Sequence, residues 1–571
     1  MRGGFLIPVL CCLAQAMSLA AMGSAHAEIP WETKSPSAPA ESPDVSPSTP
    51  VESEAAPVSQ PSAADPEPAA DPEPAAEPAP ATQAAEPAPV TPAATEAAAP
   101  GPPHPVVAII RKKLADADIK KDAETDDLAA LVAFYGTRSD APLWVTEMGF
   151  TARGQAALFE VEKADDWGLD ASAFALPDPA ALPKDAEAQA LAEIKLDLAI
   201  LKYARFARGG RHVPLELSEI LDQTPPLRDP KTVIAEIGVA DAPDAYLRTL
   251  HPRHEQFVRL RQALLEARKP DEDSKADETA IRRLIINMER WRWMPEDLGS
   301  LYVWLNSPSF MLYLVKDGKT IFEDKTLVGT IGNATPVFTA DMTTIVFNPD
   351  WVAPPSVLED KLLPALRRKY YGVLKSNQLR VSYQGKPIDP TKINWSRVNI
   401  HRFTFSQKAG PKNVLGKAKF LYPNKHIVYM HDTLPYRQKV FEEDRRAIGY
   451  GCVRMQDPKR FAELLLAEDK DWPASKVDTL WEKGVNSSVT LDEGPPVHTT
   501  YFTAIVDEKG KVATSEDLYG LDRKHARALF GDDEGFPEPP PEPEPQVASR
   551  PAPTPRGSDN GFGNSVGLLN D

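Results

Sequence analysis

Cysteine is nearly absent. The 571-residue chain holds three, and two of them, Cys11 and Cys12, fall in an N-terminal stretch that reads as a removable leader. Arg2 supplies its positive charge, Phe5 to Ala21 is a short apolar run broken by Pro8 and Gln15, and Ala25-His26-Ala27 fits a small-x-small cleavage site before Glu28. No basic stop-transfer cluster follows, and neither cysteine has the small residue before it that a lipid-attachment site wants, so cleavage after Ala27 and export are expected. Cys452 is then the only thiol of the mature chain. That excludes an intramolecular disulfide framework and a Cys-based zinc site. Histidine is also sparse, and the closely spaced pair His251 and His254 has no acidic third ligand at useful spacing. No metal and no organic cofactor are expected.

Large apolar residues are nearly missing from 28–105, which is Pro, Ala, Glu, Ser and Thr with Asp-Pro-Glu-Pro-Ala-Ala twice in succession from Asp65. Such a segment cannot bury enough surface to offset its ordering entropy and reads as an extended, disordered spacer. It carries thirteen acids and one base, and 532–571 carries eight acids and two bases. The net charge of −18 therefore sits in the two ends, and 106–531 sums to about −1. With no basic stripe apparent in that near-neutral sum, nucleic acid is not expected as a partner.

From Pro105 the pattern becomes helical. Runs such as Leu128 to Tyr135, Leu196 to Ala204 and Phe257 to Leu265 repeat apolar residues every three or four positions, giving a helical body over 106–295 that closes on Ile281 to Pro295. The period then shortens towards two at Leu301–Leu305, Phe310–Val315, Thr320–Val328, Thr343–Phe347, Ile427–Met430, Ser488–Leu491 and Tyr501–Val506, with Lys316-Asp317-Gly318-Lys319 as a hairpin turn. The fold class expected is α+β: a helical scaffold domain, then an antiparallel β catalytic domain over 296–491. Residues 351–399 interrupt the strand pattern with a mixed insert, expected to be a lid. Residues 492–531 add a C-terminal strand and helix docked on the body, and 532–571 is a disordered tail.

The chemistry gathers in Ile427 to Arg454. An apolar strand ends in His431, a charged loop follows, and the stretch closes on Gly449-Tyr450-Gly451-Cys452-Val453-Arg454. A thiol nucleophile needs a base to take its proton, and a preceding glycine lets main-chain N–H groups approach the carbonyl oxygen under attack. Cys452 is the candidate nucleophile and His431 the candidate base, with Gly451 and Cys452 as main-chain oxyanion donors. His401 is the second candidate base. His426, five residues before His431, falls on the opposite face of a regular strand.

These residues resemble the YkuD-type L,D-transpeptidases, and among them the YcbB-like members. The resemblance rests on His431 with Gly451-Cys452-Val453-Arg454, and on Asn287 to Trp293, Thr335-Pro336-Val337-Phe338, Asn348-Pro349-Asp350-Trp351, Gly410 to Gly416, Lys419-Phe420 and Tyr422-Pro423-Asn424. It covers roughly 120–530 and implies a YkuD-like sandwich fold, a periplasmic setting and a two-step acyl transfer. Cys452 attacks the L-centre carbonyl of diaminopimelate in a tetrapeptide stem, D-alanine leaves, and the amine of a second stem resolves the thioester. Peptidoglycan stem peptides as donor and acceptor, an outer-membrane lipoprotein lysine as a second acceptor, and carbapenem inhibitors are the implied partners. Arg454, Tyr450, Tyr429, Asn413 and Gly416 are the expected substrate contacts; Arg454 either holds a stem carboxylate or pairs with an acid of its own loop. Gly449-Tyr450 stands where the family has Ser-His or Ser-Ser, Ala409 stands for a usual proline, and 270–279 leaves no room for a peptidoglycan-binding module. Hydrolysis of the same acyl-enzyme, as an L,D-carboxypeptidase or amidase, and a catalytically silent wall scaffold are the competing readings.

Overall fold

A computed structural model describes residues 102–180, 185–269 and 277–539. The expected leader, nearly all of the spacer, most of the acidic break and the tail from 540 lie outside the described residues.

The helical part is built around Ala186–Gly209, 24 residues long. Asp185 caps it by accepting from the Ala188 N–H, and Gly210 ends it at φ 78°, where a side chain would be strained. Ile194, Ile200 and Leu201 face a core shared with Pro105–Lys113, Thr125–Thr137 and Pro230–Val239. The same face buries two acids one turn apart. Glu193 accepts from the Trp144 main-chain N–H (2.9 Å) and Tyr135 hydroxyl (2.9 Å), and Asp197 from the Trp144 indole (2.7 Å) and the same Tyr135 hydroxyl (2.7 Å). One hydroxyl proton cannot serve both carboxylates. Burial raises both, Glu193 to about 7 and Asp197 further in the same direction.

Glu278–Arg292 joins this body to the rest. Glu289, fully buried, accepts from Arg211 Nε (2.9 Å) and from the Arg211 main-chain N–H (3.0 Å). On the other side Arg290 donates to Asp522 (2.6 Å) and Asn287 donates to the Thr503 hydroxyl (3.0 Å), both in the C-terminal segment. Removing one partner of a buried charge pair costs about 3–5 kcal/mol, so this helix is a firm joint.

The catalytic part is one curled sheet. From one edge the strands run Ser487–Thr490, Thr344–Phe347, Ala418–Leu421, Met430–His431, Val453–Met455, Lys319–Gly329, Met311–Lys316, Leu301–Asn306, Pro496–Thr500 and Phe338–Asp341, with Ala447–Gly449 also paired to Lys319–Gly329. Alternation puts Ile345, Phe420, Met430 and Val453 on one face, against Phe461, Leu465 and Leu466 of the Pro458–Lys470 helix.

Four expectations need correcting. The sheet is antiparallel in most pairs, but three are parallel: Met430–His431 with Val453–Met455, Ala447–Gly449 with Lys319–Gly329, and Pro496–Thr500 with Leu301–Asn306. The strand expected over Ile427–Met430 is only Met430–His431, because Asn424 ties its side chain to the Val428 carbonyl and to the His426 and Val428 N–H groups, turning Ile427 to φ 59°. The strand expected over Tyr501–Val506 shortens to Ala504–Val506, in a separate hairpin, and it is the preceding Pro496–Thr500 that joins the main sheet. The insert runs beyond 399, since Phe403–Gln407 pairs with both Arg380–Tyr383 and Trp351–Val352 and closes a small sheet of the insert's own.

Because the folded Glu193–Asp197 pair holds protons that the unfolded chain releases near pH 4, its contribution is complete below that pH and is lost as pH rises through about 7. The unfolding midpoint should therefore fall between pH 5 and pH 8, and Asp197→Asn should flatten that slope; an equal slope in wild type and variant excludes the pair as its origin.

Candidate active site

Register collects the candidate residues on one face. Lys419 lies opposite His431, and His431 opposite Arg454, so all three side chains leave the sheet on the same side. The Val453 N–H donates to the Tyr429 carbonyl (3.1 Å), which continues the pairing one step back. Tyr429 and Cys452, each two residues before a member of that row, share its face. Tyr429 stands beside the Cys452 thiol, and its polar groups pull the thiol pKa down. His431 stands on the diagonal.

The imidazole is oriented. His431 Nδ1 is 2.7 Å from the Asp432 carbonyl, which can only accept, so Nδ1 carries the proton and Nε2 keeps its lone pair. Burial, with the Arg454 and Lys419 cations, lowers the His431 pKa to about 3. Burial raises the Cys452 thiol against the pull of Tyr429, Lys419 and Arg454. The resting pair is therefore neutral thiol and neutral imidazole, with proton transfer left to the moment of attack.

Gly451 has φ 91°, a conformation that favours glycine whatever the surrounding space. Among the described residues neither the Gly451 nor the Cys452 N–H donates a hydrogen bond, so two donors flank the thiol unengaged. A Cβ at Gly449 would lie 3.0 Å from the Val328 carbonyl, a tight fit for any side chain there. Tyr450 stands under the Lys361 ammonium of the insert, 5.9 Å from ring centre.

The insert covers this face. Its core of Trp351, Leu362, Leu366, Trp395, Phe405 and Leu415 includes the half-buried Tyr429, and a cavity of only about 10 Å³ reaches Arg454, between Val414, Thr433, Leu434 and Arg437. Asn413 and Gly416, expected as substrate contacts, have a visible structural role. Asn413 is buried with its amide on the Pro349 (2.8 Å) and Lys408 (3.2 Å) carbonyls, and Gly416 leaves room for the Asp432 carboxylate, so both shape the root of the insert. His401 is exposed on the insert beside Glu359 (2.7 Å) and His426 binds Asp222 of the helical body (2.8 Å); neither joins His431.

Sequence reasoning missed two features. Lys419, marked in the sequence only as part of the resemblance, joins the row through cross-strand register, its ammonium 4.0 Å from the Tyr429 ring centre. The near-neutral charge of the body also hid a separation: residues 351–415 hold twelve Lys and Arg against three acids, and all but Lys361 of the twelve are exposed. A basic surface therefore exists, contrary to the expectation. Among the described residues no cluster of His, Cys, Asp and Glu is placed to hold a metal ion, and no helix is long and apolar enough to cross a membrane.

With its pKa near 3, the imidazole stays an uncharged base well below pH 6.5. The rate of Cys452 acylation should show no break near pH 6.5, and His431→Ala should lower it by ~10²–10⁴; stopped-flow acylation from pH 4 to 8 checks both.

Residues 129–264 match the Scaffold domain family, and 300–487 match the L,D-transpeptidase catalytic domain of the YkuD family. A Haemophilus influenzae protein with a provisional L,D-transpeptidase name is 32% identical over 244 residues, which is 43% of this chain and 48% of that one. The chain thus spans about half the length of the curated relative it matches. Two solved structures also align at 11% identity: an Ldtfm-avibactam carbamoyl enzyme (TM-score 0.16, 36% of this chain and 51% of that one) and an L,D-transpeptidase from Mycobacterium smegmatis (TM-score 0.17, 35% and 58%). TM-scores this low support no structural conclusion. The two family matches fall on the helical body and on the curled sheet that holds His431 and Cys452, so the chain carries a Scaffold domain followed by an L,D-transpeptidase catalytic domain of the YkuD family.

Proposed function

We propose that this chain is an exported peptidoglycan L,D-transpeptidase of the YcbB-like type, with Cys452 as nucleophile and His431 as base. The observation that carries this reading is the shared face: a free thiol on a glycine turn, two unengaged N–H groups beside it, and an imidazole whose Nδ1 is anchored so that Nε2 can receive the thiol proton. Sγ bonds to the L-centre carbonyl carbon of a tetrapeptide stem while its proton moves to His431. The tetrahedral intermediate collapses with cleavage of the C–N bond, and His431 returns the proton to the departing D-alanine amine. The amine of a second diaminopimelate then attacks the thioester, loses its proton to His431, and releases the thiol.

Charge favours an anionic stem as donor. Among the described residues no carboxylate pairs with Arg454 or Lys419, although both stand beside the thiol. A stem-peptide carboxylate held there, bidentately at Arg454, would offset the two cations that depress His431 and so favour the imidazolium that forms during attack. The basic outer surface of the insert draws the same kind of polymer towards the site. The cover over the thiol has to lift for a stem to enter and, once closed, excludes water, which favours transfer to an amine over hydrolysis.

Intact-protein mass spectrometry after incubation with a carbapenem tests the nucleophile: one covalent adduct is expected in wild type and none in Cys452→Ser. A purified tetrapeptide stem should then yield a diaminopimelate–diaminopimelate dimer and free D-alanine. Tripeptide alone would establish the hydrolase, and a folded protein without adduct would exclude the nucleophile.

A further inference from the structure

The nucleophile turn is held from behind by groups that take no part in the scheme above. The Thr335 hydroxyl, fully buried, donates to the Gly451 carbonyl (2.9 Å). The same oxygen accepts from the Gly329 N–H (2.9 Å), so its single proton is committed to Gly451. Thr335 is fixed in turn by Tyr519, whose hydroxyl accepts from the Thr335 N–H (3.3 Å) and donates to the Gly329 carbonyl (2.9 Å). Tyr519 lies in the C-terminal segment, outside the matched residues 300–487, where its own N–H donates to the Tyr501 hydroxyl (2.7 Å). Gly329 is glycine for want of space, since a Cβ there would collide with the Asn333 carbonyl.

The Gly451 carbonyl and the Cys452 N–H belong to one peptide plane and point in opposite directions across a trans bond. Holding the carbonyl inward on Thr335 therefore aims the N–H outward. Gly451, at φ 91° and without a Cβ, places few intrinsic torsional limits on that plane. The turn needs an external restraint, and Thr335 is one.

Resting on the proposed reaction, we infer that Thr335 is a positioning residue for the oxyanion hole: its hydroxyl sets the direction of the Cys452 N–H, and Tyr519 of the C-terminal segment holds it in register. When Sγ bonds to the carbonyl carbon and the thiol proton passes to His431, the carbonyl π pair moves onto oxygen, and the aimed N–H receives that charge until the C–N bond breaks and His431 protonates the leaving nitrogen. The helix Glu278–Arg292 extends the restraint to the scaffold, because Arg290 also donates to the Tyr501 carbonyl (3.0 Å).

Two rates on the full chain separate aiming from mere stability. Acylation of Cys452 by a carbapenem builds negative charge on a carbonyl oxygen; alkylation by iodoacetamide, at a saturated carbon, does not. Thr335→Val should slow acylation by about 10- to 100-fold while alkylation stays within about twofold, as expected for a misaimed group rather than a lost nucleophile. Thr335→Ser, which keeps the hydroxyl, should acylate near the wild-type rate, and Tyr519→Phe should fall between. Unchanged acylation in folded Thr335→Val overturns the inference, as does a parallel fall of both rates. If Thr335→Val does not fold, Tyr519→Phe decides: equal effects on the two reactions, or none, overturn it. Absence of a wild-type adduct, or its persistence in Cys452→Ser, removes instead the reaction on which the inference rests.

Discussion

A parallel pairing two residues long holds the site together. Met430 lies opposite Val453 and His431 opposite Arg454, so the end of one strand and the start of another, separated by a long charged loop, meet in register. Slipping this pair by one residue would send His431 and Arg454 into the apolar core and bring Met430 and Val453 out. The register is therefore enforced by the core itself, in which Phe420, Met430 and Val453 pack on the Pro458–Lys470 helix. Catalytic geometry and core packing are two faces of one constraint.

On the outer face, burial rather than ion pairing governs the titration. The thiol is pushed up and the imidazole down to about 3, which leaves both neutral at rest. A preformed thiolate–imidazolium pair would have to be stabilised against desolvation in every enzyme molecule, substrate or no substrate. A neutral pair beside two uncompensated cations instead awaits an anion. On the proposed reaction, this arrangement would tie reactivity to occupancy by a carboxylate-bearing substrate.

Three bodies converge on this face. The insert covers it with an apolar core around Tyr429 while exposing basic side chains to solvent. The C-terminal segment reaches it from behind through Tyr519. Through buried Glu289 and Arg290, the Glu278–Arg292 helix locks that segment and the helical body into one frame. A change in the scaffold is thus mechanically connected to the nucleophile turn without touching it.

The sequence by itself determined the succession of a helical and a β part and singled out the candidate pair Cys452 and His431. A lone thiol after glycine, a histidine closing an apolar strand and the switch from a helical to a two-residue period are local signals, written in neighbouring residues. The same locality explains the failures. Ile427 looks like strand until Asn424 turns the chain, and the insert looks finished at 399 until Phe403–Gln407 pairs with Trp351–Val352. His401 stands second to His431 along the chain, and the structure sets it apart beside Glu359, as it sets His426 beside Asp222, both partners far away in sequence. Asn413 and Gly416 carry the family pattern, yet they serve the root of the insert. Only the tertiary structure decided that Lys419 stands beside His431, that among the described residues no carboxylate pairs with Arg454, and that Thr335 and Tyr519 hold the Gly451 turn. Those facts depend on cross-strand register and on hydrogen bonds closed over long stretches of chain, where the energy comes from burying a shared core and not from any neighbouring residue.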